Sequence, residues 1–295
     1  MADTPQEKFK NIQLFISRMP SLSTTVAKVL EICNDPNSSP NDLNKVISFD
    51  PVLTGQVLKL INSAYYGLPN RIASLTRAII MLGLNTVKNL VLATSVLGSF
   101  KGNRGIRGFY VDQFWEHSLG VGVTARVLAR ILNVPAQEQE EYFVTGLLHD
   151  LGKLPIMSSF PALYEQAIRL SEEMDMRSYE AENHFFGFDH SHVNQLIFAR
   201  WKLGAAMANA AACHHRPFGK DVLQNQLLLC ICLADETVLG FNGKAPRSEA
   251  VEETMMDRLA RALGVDARRI FGLQNDIEMQ IEKARIFLNI DGKGS

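Results

Sequence analysis

Five of the seven histidines in the chain stand in an ordered series with two aspartates: His117, the pair His149-Asp150, His190, the pair His214-His215, and Asp235. Imidazole nitrogen and carboxylate oxygen are donors that divalent transition metals take up, so the series outlines a site for one or two ions. His149-Asp150 follows the apolar segment Tyr142 to Leu148 and precedes Leu151-Gly152-Lys153, which puts the pair near the end of a buried helix. A carboxylate left there without a counter-charge is costly, so Asp150 needs a metal, a lysine or a helix terminus as partner. Taken alone, a His-Asp dipeptide reads as a structural hydrogen-bonded pair, the usual state of buried polar groups. The other members of the series shift the reading toward a metal.

Those members must be delivered by separate elements. His117 falls on a helix opening at Phe114-Trp115-Glu116, His214-His215 closes a small-residue helix from Ala205 to Cys213, and Asp235 follows the apolar run at Leu227. Each interval is long enough for a helix and its return, the way a helical bundle builds a histidine and carboxylate site. His184 and His192 lie near His190, but on a helix His192 is turned about 200° from it, and both are read as non-ligands. Trp115, Trp201, Phe114 and Phe198 read as core aromatics. Cys230 and Cys232, inside an apolar run, read as buried thiols.

The rest of the chain has a helical period. Ser39-Pro40-Asn41-Asp42 sets a capping serine before a first-turn proline and an acid, and Leu43, Val46 and Ile47 follow on one face. Asp50-Pro51 repeats the opening, with Leu53, Val57, Leu60 and Ile61 at helical spacing until Asn62 to Gly67 ends the run. Alternating β-branched runs with hairpin dipeptides are missing, so the expected class is all-α. Gly102, Gly105 and Gly108 mark a break between lobes, and Phe241 to Ser248 marks a second connection. The expected organisation is an N-terminal helical lobe over 1–101, a second lobe over 102–240 and a helical extension over 241–295. So short a glycine break between two strongly apolar halves predicts that the lobes pack as one rigid unit.

Composition excludes several classes. Basic and acidic residues number 30 and 31, a formal charge of -1, so no global field draws the chain to nucleic acid or anionic lipid. The strip from Arg77 to Leu90 could imitate a DNA-reading helix-turn-helix, but Arg77 and Lys88 are too few for phosphate contacts. The apolar run from Leu227 to Ala234 is far shorter than the roughly 20 residues that cross a bilayer. Four cysteines without CxxC spacing and a start without an apolar signal region predict a reducing cytoplasm.

Longer blocks carry a resemblance. MPSLSTTVAKVLEIC, SFDPVLTGQVLKLINSAYYG and LTRAIIMLGLNTVKNLVL, followed by FWEHSLG, FVTGLLHDLGKL, FGFDHSHVNQLIFARWKLG and CHHRP, resemble the HDOD family over most of residues 15 to 240. That family is an output domain of bacterial signalling related to HD phosphohydrolases. The resemblance implies an all-helical, two-lobe architecture and a regulatory protein that binds a signalling protein or a small-molecule signal. HD-GYP enzymes, which hydrolyse cyclic di-GMP, share the order H, HD, H, HH, D. By that likeness His117, His149, Asp150 and Asp235 match the ligands of one metal. His190, His214 and His215 match those of a second, with Asp150 bridging, and Lys153 matches a lysine that contacts phosphate. The ions implied are iron, manganese, nickel or zinc. Two departures stand out: Arg216-Pro217-Phe218-Gly219 replaces the GYP signature, and Gln113 stands where a third-metal glutamate would be. A regulatory module with a mono- or binuclear centre is the leading expectation. A metal-dependent phosphohydrolase or phosphodiesterase, and a metal-free interaction scaffold, are the alternatives.

Overall fold

The computed structural model describes residues 3–19, 22–35, 37–100, 108–219, 225–241 and 254–289, and every regular element among them is helical. The N-terminal half supplies α1 (Pro5–Arg18), α2 (Thr24–Asn34), α3 (Pro40–Ser48), α4 (Pro51–Ile61), α5 (Leu75–Leu82) and α6 (Leu84–Phe100). Its starts are the capping signals of the sequence. Ser39 Oγ accepts from the Asp42 N–H while Asp42 accepts from the Ser39 N–H, and Asp50 accepts from the Leu53 N–H. Between α5 and α6 the chain bends by 119° at Gly83, whose φ of 85° a side chain would resist. No single helix among the described residues is long and apolar enough to cross a membrane.

The second half continues with α7 (Gly108–Ile131), α8 (Gln139–Leu148), α9 (Lys153–Ser159), α10 (Pro161–Glu173), α11 (Ser178–Phe186), α12 (His190–Arg200), α13 (Ala205–Cys213) and α14 (Gln226–Phe241). It closes with α15 (Met255–Leu263), α16 (Ala267–Phe271), α17 (Gln274–Ala284) and a 3-10 turn at Arg285–Phe287. Gly108 opens α7, so that helix begins before the Phe114 expected from the sequence; Gly102 and Gly105 lie outside the described residues, as does most of the Phe241 to Ser248 connection.

α8 is the axis of the molecule. Residues 142–148 are all buried, because α6, α7, α13 and α14 surround it. Glu140 and Glu141 in its first turn complement the helix dipole. Against α7 the backbones touch: a Cβ on Gly146 would stand 2.7 Å from the Gly122 Cα, and one on Gly122 would stand 2.7 Å from the Phe143 carbonyl oxygen. No side chain fits at that crossing.

One apolar core runs through both halves, joining Leu43, Val57 and Leu90 to Phe143, Leu147 and Phe287, and a second gathers Leu128, Ile231 and Leu259. Phe287, at the end of the 3-10 turn, lies tilted at 4.7 Å from Phe143 and edge-on at 5.5 Å from Tyr65. The first helix also crosses over: α1 packs on α9, α11 and α12, with Lys8 Nζ donating to the Phe185 carbonyl and Pro5 seated on Gly187. Arg126 of α7 pairs with the fully buried Glu140 of α8 at 3.0 Å and lies over the rings of Tyr65 and Tyr66 at 4.6 and 5.2 Å. Removing one partner of such a pair leaves the other charge buried and alone. Arg126→Met is therefore expected to cost about 3 kcal/mol, and the double variant with Glu140→Gln is expected to recover part of it. Denaturant titration checks this, and the wild-type chain should unfold in one transition.

Candidate metal centre

The seven residues of the histidine and aspartate series are delivered by five helix ends or faces. His117 lies within α7, His149 and Asp150 at the turn after α8, His190 at the first position of α12, His214 and His215 immediately after α13, and Asp235 within α14. The structure brings all of them together. One oxygen of Asp150, Oδ1, lies 2.8 Å from His190 Nε2 and 3.5 Å from both His214 Nε2 and His149 Nε2. The other, Oδ2, faces His117 Nε2 at 3.7 Å and Lys153 Nζ at 2.5 Å. Ligand atoms of Asp150, His190, His214 and His215 lie within 4.8 Å of one another, and so do those of His117, His149 and Asp150. Asp235 joins the second set through His117 Nε2 at 3.1 Å and His149 Nε2 at 3.9 Å.

The tautomers make the fit to a cation specific. His149 Nδ1 sits 2.7 Å from the Gly146 carbonyl oxygen and His214 Nδ1 sits 3.0 Å from that of Ala211. A carbonyl only accepts, so both Nδ1 atoms donate and both Nε2 atoms carry lone pairs turned inward. His149 Nε2 is buried and has no hydrogen-bond partner. His190 Nδ1 likewise faces Glu182 Oε2 at 2.6 Å, which leaves its Nε2 between His215 Nε2 at 2.7 Å and His214 Nε2 at 3.3 Å. Nitrogens converging at these distances need a proton or a metal cation among them, and imidazoles held from behind at Nδ1 are how proteins orient metal ligands. Among the described residues the donor set is nitrogen and oxygen, which suits zinc, iron, nickel or manganese.

The electrostatics agree. Burial opposes ionisation of Asp150, but His149, Lys153 and His190 outweigh it and hold the carboxyl well below its ordinary range. Burial pushes His149 down to about 4 and His215 well down, so both imidazoles are neutral and available. Burial also works against a charge on His190, yet Glu182 and Asp150 lift it to about 9, so without an ion this ring is protonated, donates from Nε2 toward Asp150, and must give up that proton to bind a metal. Desolvation works against a charge on the half-buried Lys153, but Asp150 outweighs it and keeps the ammonium charged.

Two residues escaped the sequence reading. Glu182, on α11, accepts from the His190 N–H at 2.8 Å and from the Tyr164 hydroxyl at 2.9 Å. Asn194, on α12 and fully buried, accepts from the Gly152 N–H at 2.6 Å and donates to the carbonyls of Ala211 and His149. Asn194 thus ties the turn bearing His149-Asp150 to the end of the helix bearing His214-His215. Gly152 permits this approach, since a Cβ there would run into the His190 carbonyl oxygen. His184 and His192 stand apart from the cluster: His192 caps α12 with Asp189, and His184 lies against Phe185. Above the cluster opens a cleft of about 1050 Å³, lined by His117, Lys153, Tyr179, His215 and Asp235, with Tyr179 stacked on His215 at 4.2 Å.

The sequence profile of the HDOD domain matches residues 19–217. The chain belongs to the HDOD family. A solved HDOD domain protein of unknown function from Geobacter sulfurreducens superposes with a TM-score of 0.74 at 23% identity, covering 96% of this chain and 98% of that one. A structure from Marinobacter aquaeolei VT8, named for signal transduction, gives 0.73 at 20% identity over 98% of this chain and 66% of that one. A third, from Shewanella amazonensis SB2B and named for phosphohydrolase activity, gives 0.70 at 20% identity over 93% and 98%. At such identities the likeness is one of fold. An uncharacterised protein of Treponema pallidum (strain Nichols) is 24% identical over 234 residues, 78% of this chain, and the chain spans 44% of that curated relative's length. The HDOD match ends at residue 217, before Asp235, so one member of the cluster lies beyond it.

Asn194→Ala is expected to lower stability by about 1–3 kcal/mol, because it strands the buried Gly152 N–H and His149 carbonyl, while the Ala211 carbonyl keeps His214 Nδ1–H. It should also lower metal capacity, read by titrating metal-stripped protein. Unchanged stability and capacity would contradict the tie between the two turns.

Proposed function

We propose that this chain is a regulatory signal-transduction module of the HDOD family whose HD-like lobe, set between the N-terminal lobe over 1–101 and the extension over 241–295, holds one or two divalent transition metal ions. The observation that carries the metal is the convergence of Nε2 atoms, one of them without a hydrogen bond, on one carboxylate. Of the two sets, His117, His149, Asp150 and Asp235 hold one ion, and Asp150, His190, His214 and His215 hold the other. The regulatory part is supported by family membership, and by the way the same unit recurs inside longer chains from Marinobacter and Treponema. A unit that is repeatedly joined to other sequence is suited to passing a signal, small-molecule or protein, to whatever it is joined to. The four free cysteines support a reducing, cytoplasmic setting.

A second reading, metal-dependent phosphoester hydrolysis, is favoured by the cleft that opens onto the cluster. A bound metal pair would supply activated water and charge stabilisation. Lys153, held at 2.5 Å to Asp150 and lining the same cleft, is placed to meet an anionic group there. The segment after His215 is Arg216-Pro217-Phe218-Gly219, so orientation of a substrate differs from that in cyclic di-GMP hydrolases, and misplacement by about 1 Å costs about 100-fold in rate.

Protein purified without a nickel column is expected to contain one to two equivalents of iron, manganese, nickel or zinc by elemental analysis. Asp150→Ala should lose most of it. Wild-type protein that is empty and takes up nothing on titration would leave the metal-free scaffold as the surviving reading. Metal-loaded protein is expected to turn over little or no cyclic di-GMP. Rapid turnover abolished by both Lys153→Ala and Asp150→Ala would make hydrolysis the primary activity.

A further inference from the structure

The two halves of the cluster are unequal in charge. His117 and His149 meet two carboxylates, Asp150 and Asp235, whereas His190, His214 and His215 share only Asp150. Three imidazoles, which ligate a metal only as neutral rings, and half of one carboxylate would leave a divalent ion in a buried site with little to balance it, and an uncompensated charge is costly there. The missing negative charge stands one imidazole away. Glu182 is 1% exposed, and its Oε2 lies 2.6 Å from His190 Nδ1, on the side of the ring opposite the cluster. The corresponding Nδ1 atoms of His149 and His214 meet backbone carbonyls, which carry no net charge.

We infer that Glu182 is the positioning residue that makes the second half of the cluster, His190, His214, His215 and Asp150, competent to hold its ion, acting through the His190 imidazole. This rests on the metal reading above. By accepting from Nδ1–H, the carboxylate directs the His190 Nε2 lone pair into the cluster and makes the ring a stronger donor, as partners behind metal-bound imidazoles do. Its own position is fixed from two further sides. Oε1 accepts from Tyr164 of α10, and Oε2 also accepts from the His190 backbone N–H at the start of α12. Glu182 therefore sets the orientation of the ring and the placement of the helix end that carries it. The first half makes no contact with Glu182 and is expected to be indifferent to it.

The test is stepwise titration of the metal-stripped full chain with Mn2+ and Co2+, following the paramagnetic spectra of each ion and the thermal midpoint in chelator. Glu182→Gln keeps an acceptor for Nδ1–H and removes the charge; Glu182→Met removes both at similar volume. Wild type should take two ions. Both variants should keep one at wild-type affinity and bind the second about 10- to 100-fold more weakly, with the larger loss in Glu182→Met and with the signature of a coupled metal pair lost. Should Glu182→Met fail to fold, the charge-only variant still decides. Two ions at wild-type affinity in Glu182→Gln, or a single wild-type ion that it leaves untouched, would overturn the inference while leaving metal binding intact. Equal weakening of both ions together with a fall in the thermal midpoint would also overturn it, as a general structural effect. A wild-type chain that binds no metal would remove both readings.

Discussion

One buried carboxylate organises this molecule. Asp150 is 2% exposed and stands where the turn after α8 meets α7, α9, α12 and the end of α13. An ionised carboxylate in that place requires compensation from every side. Lys153 supplies a full charge, His190 an N–H or a shared cation, and the imidazoles of His117, His149 and His214 lie within 3.7 Å. The surrounding helices are therefore committed twice, by the apolar faces they bury and by the polar ends they turn toward Asp150. Apolar packing tolerates small slips. The polar convergence does not, because each unsatisfied buried group costs about 1–3 kcal/mol.

Backbone contact makes the convergence possible. The Gly122 and Gly146 crossing lets α7 and α8 approach until the ring of His117 is 5.5 Å from that of His149. At Gly152 the chain passes so close to the start of α12 that Asn194 reaches across to its N–H and to two carbonyls. These are places where a helix end leaves carbonyls and N–H groups open, and the open groups become the handles that hold imidazole rings. Gly146 and Ala211 are the clearest cases: their carbonyls, one turn before His149 and His214, are the acceptors that set those tautomers.

The histidine and aspartate order was legible because these residue types are scarce in apolar helical context and each stood at a readable boundary. The helical class was legible from periodicity, and the starts at Ser39 and Asp50 from capping chemistry. Glu182 and Asn194 were not, since a glutamate and an asparagine within polar-looking helices read as solvent-facing; Ser178 to Phe186 contains Glu180, Glu182 and Asn183 with nothing to distinguish the middle one. Only the placement of α11 against α10 and α12 shows that Glu182 faces inward. The beginning of α7 was misread for a related reason. A glycine signals permissive backbone, and permissive backbone can open a helix as well as break one. The contribution of Phe287 was invisible in a stretch of charged residues, yet it completes an aromatic group with Tyr65 and Phe143 at the junction of the two halves.

That junction bears on how such a module would work. Arg126, Tyr65, Tyr66 and Glu140 join the N-terminal half to α7 and α8, the same two helices that carry His117 and the His149-Asp150 turn. A displacement of the N-terminal half relative to the rest would press on the Gly122 and Gly146 crossing, where backbones already touch, in the two helices that lead to the cluster. Conversely, an ion that drew His117, His149 and Asp150 together would stiffen the two helices on which the N-terminal half is seated. By linkage, whatever binds the N-terminal half with a preference for one arrangement changes metal affinity by the same factor that metal changes its own. On the proposed reading, a metal centre would need no turnover to serve a regulatory protein: its occupancy would be what the rest of the fold senses.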